Sequence, residues 1–194
     1  MRFKDFIDGS YVLHYSFPSL KCVHLKSEIS LQIYNHFVDS SYAAYSFMGI
    51  AMDPYFPEIK ELKAFKKYFE RQIANGEGDN VCIIPDILVV SGTDEKDFGD
   101  NGYKKVPKWV VEFVSPHNVS KVFREKLELY EYIGIEEYWV ISDKRNVFVF
   151  LLEDGKYVET EYSLDFMWWT RDDSEFLEIS VKVFPDLKIK IKDE

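Results

Sequence analysis

Apolar residues recur at helical spacing in three segments, each of which we predict to be a helix: residues 21–38, 57–75 and 119–133. Pro57 is a favourable first residue for the second helix, and Gly76 can end it. Gly134 marks the end of the third helix in the same way. Each helix therefore has one apolar face that must pack against a core.

Shorter apolar or alternating runs, typical of β-strands, lie between and after these helices. Asp8-Gly9 and Asp154-Gly155 predict hairpin turns, Pro85 breaks one run, and residues 92–106 form a polar loop. The predicted strands lie within residues 5–16, 42–52, 81–90, 108–114, 136–142, 146–163 and 176–191. This order predicts an α+β fold, with a mixed central β-sheet flanked by helices.

Three charged residues stand where these patterns require apolar ones. Glu112 lies in the middle of the strand "PKWVVEFVSP" and shares a face with Val110 and Val114. Lys126 falls within the apolar stripe of the third helix, and Asp86 directly follows a proline inside a strand. We therefore predict that two buried strands and the next helix deliver two carboxylates and one ammonium group to the same place.

Each of these charges alone also has an ordinary structural explanation. Glu112 could reach water at a sheet edge, Lys126 could extend its ammonium group to solvent, and Asp86 could simply form a turn. Taken together they favour a site, because two adjacent carboxylates repel each other. A divalent cation would relieve that repulsion, and carboxylate oxygens suit Mg²⁺ or Mn²⁺.

Composition narrows the class of protein. The 194 residues suit one domain, and the net charge of −10 argues against a generally basic nucleic-acid-binding surface, although not against a local groove. Cys22 and Cys82 lie far apart, which argues against a zinc cluster and fits a reduced compartment. No segment reads as a signal peptide or a membrane span, so we expect a cytoplasmic protein without membrane contact.

The central block of the chain resembles a known family. "PD" at 85–86, "EFVSP" at 112–116 and "REKLELYEYIGIEEYWVIS" at 124–142 are similar to the motifs of the "putative restriction endonuclease" family, within the PD-(D/E)XK nuclease superfamily. The resemblance implies one nuclease-like domain over residues 1–194, with a restriction-endonuclease-like fold. The helix predicted at 57–75 then reads as an insertion relative to shorter members.

The same resemblance implies the roles of individual residues. Asp86, Glu112 and Lys126 would be catalytic, and the two carboxylates would bind Mg²⁺ or Mn²⁺ with the backbone carbonyl of Phe113. Many members of the superfamily carry the lysine two residues after the acid, where this chain has Val114. Four further residues are candidates for a supporting role: His24, Glu28, Ser115 and Tyr130. Core packing is an equally good explanation of Tyr130, and a solvated helix face is a better one of Glu28.

The expected function is hydrolysis of DNA phosphodiester bonds with Mg²⁺ or Mn²⁺. The resemblance to the superfamily also implies a homodimer. One alternative is a catalytically inactive DNA-binding or assembly module that keeps the nuclease fold. A purely structural dimer module is a second alternative and predicts no metal binding. Trp168-Trp169 could form a surface contact or a dimer contact.

Overall fold

The computed structural model describes residues 2–7, 10–15, 20–52, 56–70, 82–114, 119, 121–162 and 176–192. Ser115 and Trp168-Trp169, singled out from the sequence, lie outside these ranges, as do residues 71–75 of the second predicted helix.

A six-stranded mixed sheet forms the centre of the described structure, with the strand order β12-β11-β10-β9-β6-β3. Its strands β9 and β10 run parallel, and every other neighbouring pair in it is antiparallel. The prediction of a mixed α+β fold is confirmed. The six strands are β3 (Tyr42–Ser46), β6 (Ile87–Ser91), β9 (Trp109–Val114), β10 (Glu137–Ser142), β11 (Val147–Glu153) and β12 (Lys156–Tyr162).

The remaining strands form smaller sheets. The predicted hairpin at the start of the chain pairs β1 with β2, and β13 pairs with β14 near the other end. A third small sheet has the order β5-β4-β8-β7, so the predicted polar loop 92–106 contains two short strands. The bounds are β1 (Arg2–Ile7), β2 (Ser10–Tyr15), β4 (Ile50–Ala51), β5 (Cys82–Ile83), β7 (Phe98–Gly99), β8 (Gly102–Tyr103), β13 (Phe176–Ser180) and β14 (Lys188–Lys192).

The helical segments are the α-helices α1 (Leu20–Phe37), α2 (Lys63–Tyr68) and α3 (Leu127–Ile133), the 3-10 turns Pro57–Glu61 and Glu95–Asp97, and a π-helix, Lys121–Lys126. The π-helix runs directly into α3, which ends at Gly134 in the left-handed conformation (φ 86°) that glycine adopts without strain. Within the part of the chain that the structure describes, none of the helices has the length and apolar character of a membrane span.

Two apolar cores cover the two faces of the central sheet. Leu88, Val110 and Val140 point into the first core, which contains apolar side chains of α2, the π-helix and α3. Their sequence neighbours on the same strands point into the second core, against α1 and the β13–β14 hairpin. This alternation is the period of two expected of strands buried on both faces.

Two helix predictions need correction. The segment 57–70 is a 3-10 turn followed by α2, because Leu62 between them has an extended backbone (φ −66°, ψ 136°), so one continuous helix is wrong here. The third predicted helix begins as a π-helix, whose turns hold more residues than those of an α-helix. An α-helical wheel over 119–133 places Glu125 on the polar side and Val119 on the apolar side. In the structure Glu125 is buried and pairs with Lys67 of α2, while Val119 is exposed.

Candidate active site

Asp86 and Glu112 lie beside each other at one end of the central sheet. The antiparallel pairing of β6 with β9 places Ile87 opposite Val111, so the next position opposes Asp86 to Glu112. The backbone N–H of Phe113 donates a hydrogen bond of 2.7 Å to Oδ2 of Asp86, which fixes that carboxylate against β9. The register therefore brings together the two carboxylates that the sequence singled out.

Glu112 is a buried carboxylate with several partners. It is 3% exposed and shares its face of β9 with Val110 and Val114 of the first core, as predicted. Its Oε1 forms an ion pair with Nζ of Lys126 and accepts a 2.8 Å hydrogen bond from the hydroxyl of Tyr130. These contacts compensate a charge that would be very unfavourable in an apolar core without a partner.

Opposing influences act on the pKa of Glu112. Burial raises this pKa, because the ionised form loses its hydration, and the nearby charge of Asp86 raises it further. The positive charge of Lys126 and the hydrogen bonds from Lys126 and Tyr130 lower it. Burial has the larger effect, so the pKa of Glu112 lies above that of an ordinary glutamate. The ionised form of Glu112 therefore depends on a cation nearby.

Lys126 reaches this carboxylate from the junction between the π-helix and α3. Its Nζ donates a 2.9 Å hydrogen bond to the backbone carbonyl of Ile84 as well as pairing with Glu112. Short π-helical segments occur frequently at functional sites. The prediction that the lysine comes from this helix to meet Glu112 agrees with the structure.

A second lysine, which the sequence reasoning missed, reaches the site from the opposite face of the sheet. Nζ of Lys26 on α1 pairs with Oδ1 of Asp86 and lies 4.7 Å from the ring centroid of Phe47 and 5.7 Å from that of Phe113. The sequence does indicate that Lys26 points inward. Lys26 is four residues after Cys22 and so lies along the predicted apolar stripe of α1. Each carboxylate thus has its own lysine.

The other residues proposed on α1 lie on a different side of the helix. Glu28 is two residues from Lys26, which turns it by about 200° around the helix axis. Gln32, one turn after Glu28 and two after His24, exchanges two 2.8 Å hydrogen bonds with the backbone of Lys190 in β14. His24 is exposed on this side. The structure therefore brings Lys26 to Asp86, and does not bring His24 or Glu28 there.

The chemistry of the oxygen donors decides whether a divalent cation fits this site. Asp86 and Glu112 supply carboxylates from adjacent strands, and neighbouring backbone carbonyls such as that of Ile84 point into the same region. Hard oxygen donors of this type suit Mg²⁺ or Mn²⁺. No group of three or more histidine, cysteine, aspartate or glutamate side chains gathers as a metal site within the described ranges. The donor set therefore fits a hard cation that keeps several water ligands.

Comparisons with known proteins address the family and the fold of the chain. A family model described as "Uma2: Putative restriction endonuclease" matches residues 67–184, which is more than half of the chain. One similar solved structure is a "putative nuclease belonging to DUF820" from Anabaena variabilis ATCC 29413. It is 16% identical with a TM-score of 0.55, and the match covers 96% of this chain and 85% of that one, which shows a shared fold. No curated protein matches the chain.

Proposed function

The chain belongs to the restriction-endonuclease-like family whose model matches it, and on that premise we propose that it hydrolyses phosphodiester bonds of DNA with a divalent cation. The observation that carries the proposal is the pair formed by Asp86 and Glu112 across β6 and β9, with Lys126 on the buried carboxylate. Such a cluster is expensive to bury, which favours a chemical role over a purely structural one.

In this proposal Asp86 and Glu112 hold Mg²⁺ or Mn²⁺, with the backbone carbonyl of Phe113 as a further ligand. When bound, the cation polarises the phosphate and lowers the pKa of a coordinated water. The N–H of Phe113 already faces Asp86, and in antiparallel pairing the N–H and C=O of one residue face the same neighbouring strand. That arrangement supports the assignment of Phe113.

Lys126 is the proposed partner of the reacting atoms. Its ammonium group can donate hydrogen bonds to the attacking water or to a phosphate oxygen as negative charge develops there. The carbonyl of Ile84 and the carboxylate of Glu112 fix its position. Tyr130 is a positioning residue in this scheme, because its hydroxyl holds the same oxygen of Glu112 that pairs with Lys126.

The wider expectations from the sequence remain part of the proposal. Residues 1–194 form one nuclease-like domain in which the segment 57–75 is an insertion. The chain acts in the cytoplasm, which Cys22 and Cys82 support because no disulfide joins these two thiols. It pairs as a homodimer, which rests on the resemblance to the superfamily.

A DNA-binding module without catalysis is the second candidate, and a specific observation favours it. Both carboxylates already pair with lysines, so the local charge is balanced without a cation. The net charge of −10 also leaves little general attraction for phosphates. This candidate predicts salt-dependent DNA binding without metal-dependent cleavage.

The decisive experiment is a nicking assay on supercoiled plasmid with Mg²⁺ or Mn²⁺. The wild type should nick the plasmid, and Asp86→Ala, Glu112→Gln and Lys126→Met should each lose the activity. Glu178→Gln is the matched control, because this carboxylate pairs with Lys188 at the surface, and it should retain full activity. Calorimetric titration with Mn²⁺ adds a readout that does not need turnover. Equal cleavage by all three site variants would show that the site is wrongly assigned.

A further inference from the structure

Phe47 is an exposed aromatic residue in an unfavourable backbone conformation. Its side chain is 72% exposed, and its φ of 58° lies in the left-handed region that side chains other than glycine rarely adopt. A large apolar side chain held in this way at the surface calls for an explanation.

The turn that carries Phe47 is held on both sides. Ser46, the last residue of β3, shares a hydrogen bond with the hydroxyl of Tyr34 on α1. The carbonyl of Gly49 accepts a 2.8 Å hydrogen bond from the N–H of Tyr103. A Cβ on Gly102 would lie 2.0 Å from that same carbonyl oxygen, so the backbone approach is very close. Phe47 is therefore presented on a fixed turn.

A shared lysine places this ring beside the proposed catalytic carboxylates. Nζ of Lys26 pairs with Oδ1 of Asp86 and lies 4.7 Å from the centroid of the Phe47 ring. Ser46, directly before Phe47, opposes Ile87, directly after Asp86, so the chain reaches both residues at the same end of the central sheet. This position suits a nucleotide next to the one whose phosphate reacts.

One side of the ring is covered and the other is open. Nζ of Lys26 lies over the ring at 4.7 Å from its centroid, a cation–π contact that fixes the ring and leaves its remaining surface exposed. We propose that Phe47 stacks against an unpaired DNA base beside the scissile phosphate. The preferred substrate is therefore single-stranded or locally unpaired DNA, because paired bases keep their faces inside the duplex stack. This inference rests on the proposed nuclease function.

The charge distribution explains why stacking matters here. The chain carries a net charge of −10, and Lys26 and Lys126 are both occupied by the site carboxylates. Affinity for DNA that depends on phosphate contacts alone would be low. Stacking on an aromatic ring does not require positive charge, and it accepts any base.

The test compares two fluorescein-labelled single strands, an oligothymidylate and an abasic strand of the same length, by anisotropy in EDTA so that no cleavage occurs. The wild type should bind the strand with bases about tenfold more tightly. Phe47→Ala should lose this preference, and Phe47→Trp should keep it. Tyr132→Ala is the control, since Tyr132 is also an exposed aromatic residue but lies nearly two helical turns beyond Lys126, and it should behave as wild type.

The outcomes separate this inference from the proposed function. A base preference that persists in Phe47→Ala, equal binding of both strands by the wild type, or no binding of either strand would overturn the stacking role. Plasmid nicking that depends on Asp86 and Glu112 would then stand as a separate result. Conversely, a base preference that needs Phe47 in a protein without nicking activity would support stacking and refute catalysis.

Discussion

Replacement of Lys126 by methionine tests the buried ion pair on which the site depends. The side chains of Lys126 and Glu112 are 8% and 4% exposed, so water cannot replace either partner. Methionine keeps most of the volume of the lysine stem but removes its positive charge. The carboxylate of Glu112 then keeps the hydrogen bond from the hydroxyl of Tyr130 and loses its ion pair. The free energy of unfolding should therefore fall sharply.

The size of the loss follows from the burial of the pair. Removal of one partner from a buried ion pair costs about 3–5 kcal/mol, mainly because the other charge stays buried without compensation. For a domain of this length, 1 kcal/mol shifts the melting temperature by about 2–4 °C. Lys126→Met should therefore melt roughly 6–20 °C below the wild type.

A double-mutant cycle isolates the pair itself. The free energy of unfolding is measured by thermal and chemical denaturation for Lys126→Met, Glu112→Gln and the double variant. The double variant should lose less stability than the sum of the two single losses, by at least about 1 kcal/mol. Lys188→Met provides the control, because its ion pair with Glu178 is exposed and water screens the two charges.

Two results would refute this reasoning. The first is a melting temperature of Lys126→Met within about 1 °C of that of Lys188→Met, which would mean that Glu112 does not depend on the lysine. The second is strict additivity of the two single variants, which would mean that Lys126 and Glu112 do not interact.

Two further predictions concern Lys26, which pairs with Asp86, and the buried carboxylate of Glu137. Lys26→Gln should bind Mn²⁺ several-fold more tightly in calorimetric titration, because Asp86 loses a competing cation; unchanged or weaker binding would contradict this. Glu137 is fully buried, and burial raises its pKa above the ordinary value of 4.5. Its protonated form therefore stabilises the fold at low pH, and this stabilisation is lost as the pH rises from 4.5 through the raised pKa. The melting temperature of the wild type relative to Glu137→Gln should therefore fall as the pH is raised above that ordinary value, and a constant difference would show that Glu137 does not titrate in this way.

Periodicity rules locate residues well when the local backbone is regular. Strand periodicity assigns Glu112 to the correct face because β9 keeps the strict alternation of a strand. Helix periodicity assigns Lys126 to the inner side of its helix, and the structure buries it there. Asp86 is expected near both if its strand pairs with that of Glu112, and β6 does pair with β9. Periodicity thus gives the face or side on which Glu112 and Lys126 lie, and the strand pairing adds the position of Asp86.

The same rules failed where the backbone departs from regularity. An α-helical wheel places Glu125 towards solvent, but the π-helix changes the angle between successive side chains and turns Glu125 inward. The helix predicted at 57–75 is interrupted at Leu62, and nothing in the apolar spacing indicates an extended residue there. Lys26 was missed for another reason: its partner Asp86 is 60 residues away, and only the sheet register brings α1 over it.

The two lysines differ in a way that bears on how the site would work. Lys126 lies on the side of the first core and is buried with Glu112. Its separation from Glu112 is unfavourable, because it would leave a buried carboxylate without its ion pair. Lys26 comes from the other face, and the side chains of Lys26 and Asp86 remain 25% and 23% exposed. Water can therefore solvate Lys26 when it separates from Asp86, at a modest energetic cost.

This asymmetry supports a division of roles within the proposed mechanism. Lys26 is the cation that can give up its carboxylate, which frees Asp86 to bind a divalent cation while Lys126 stays on Glu112. A released Lys26 would still lie beside Phe47, where its ammonium group could meet the phosphate of a nucleotide stacked on that ring. The site would thus exchange an internal counter-ion for a metal and use the displaced lysine to hold its substrate.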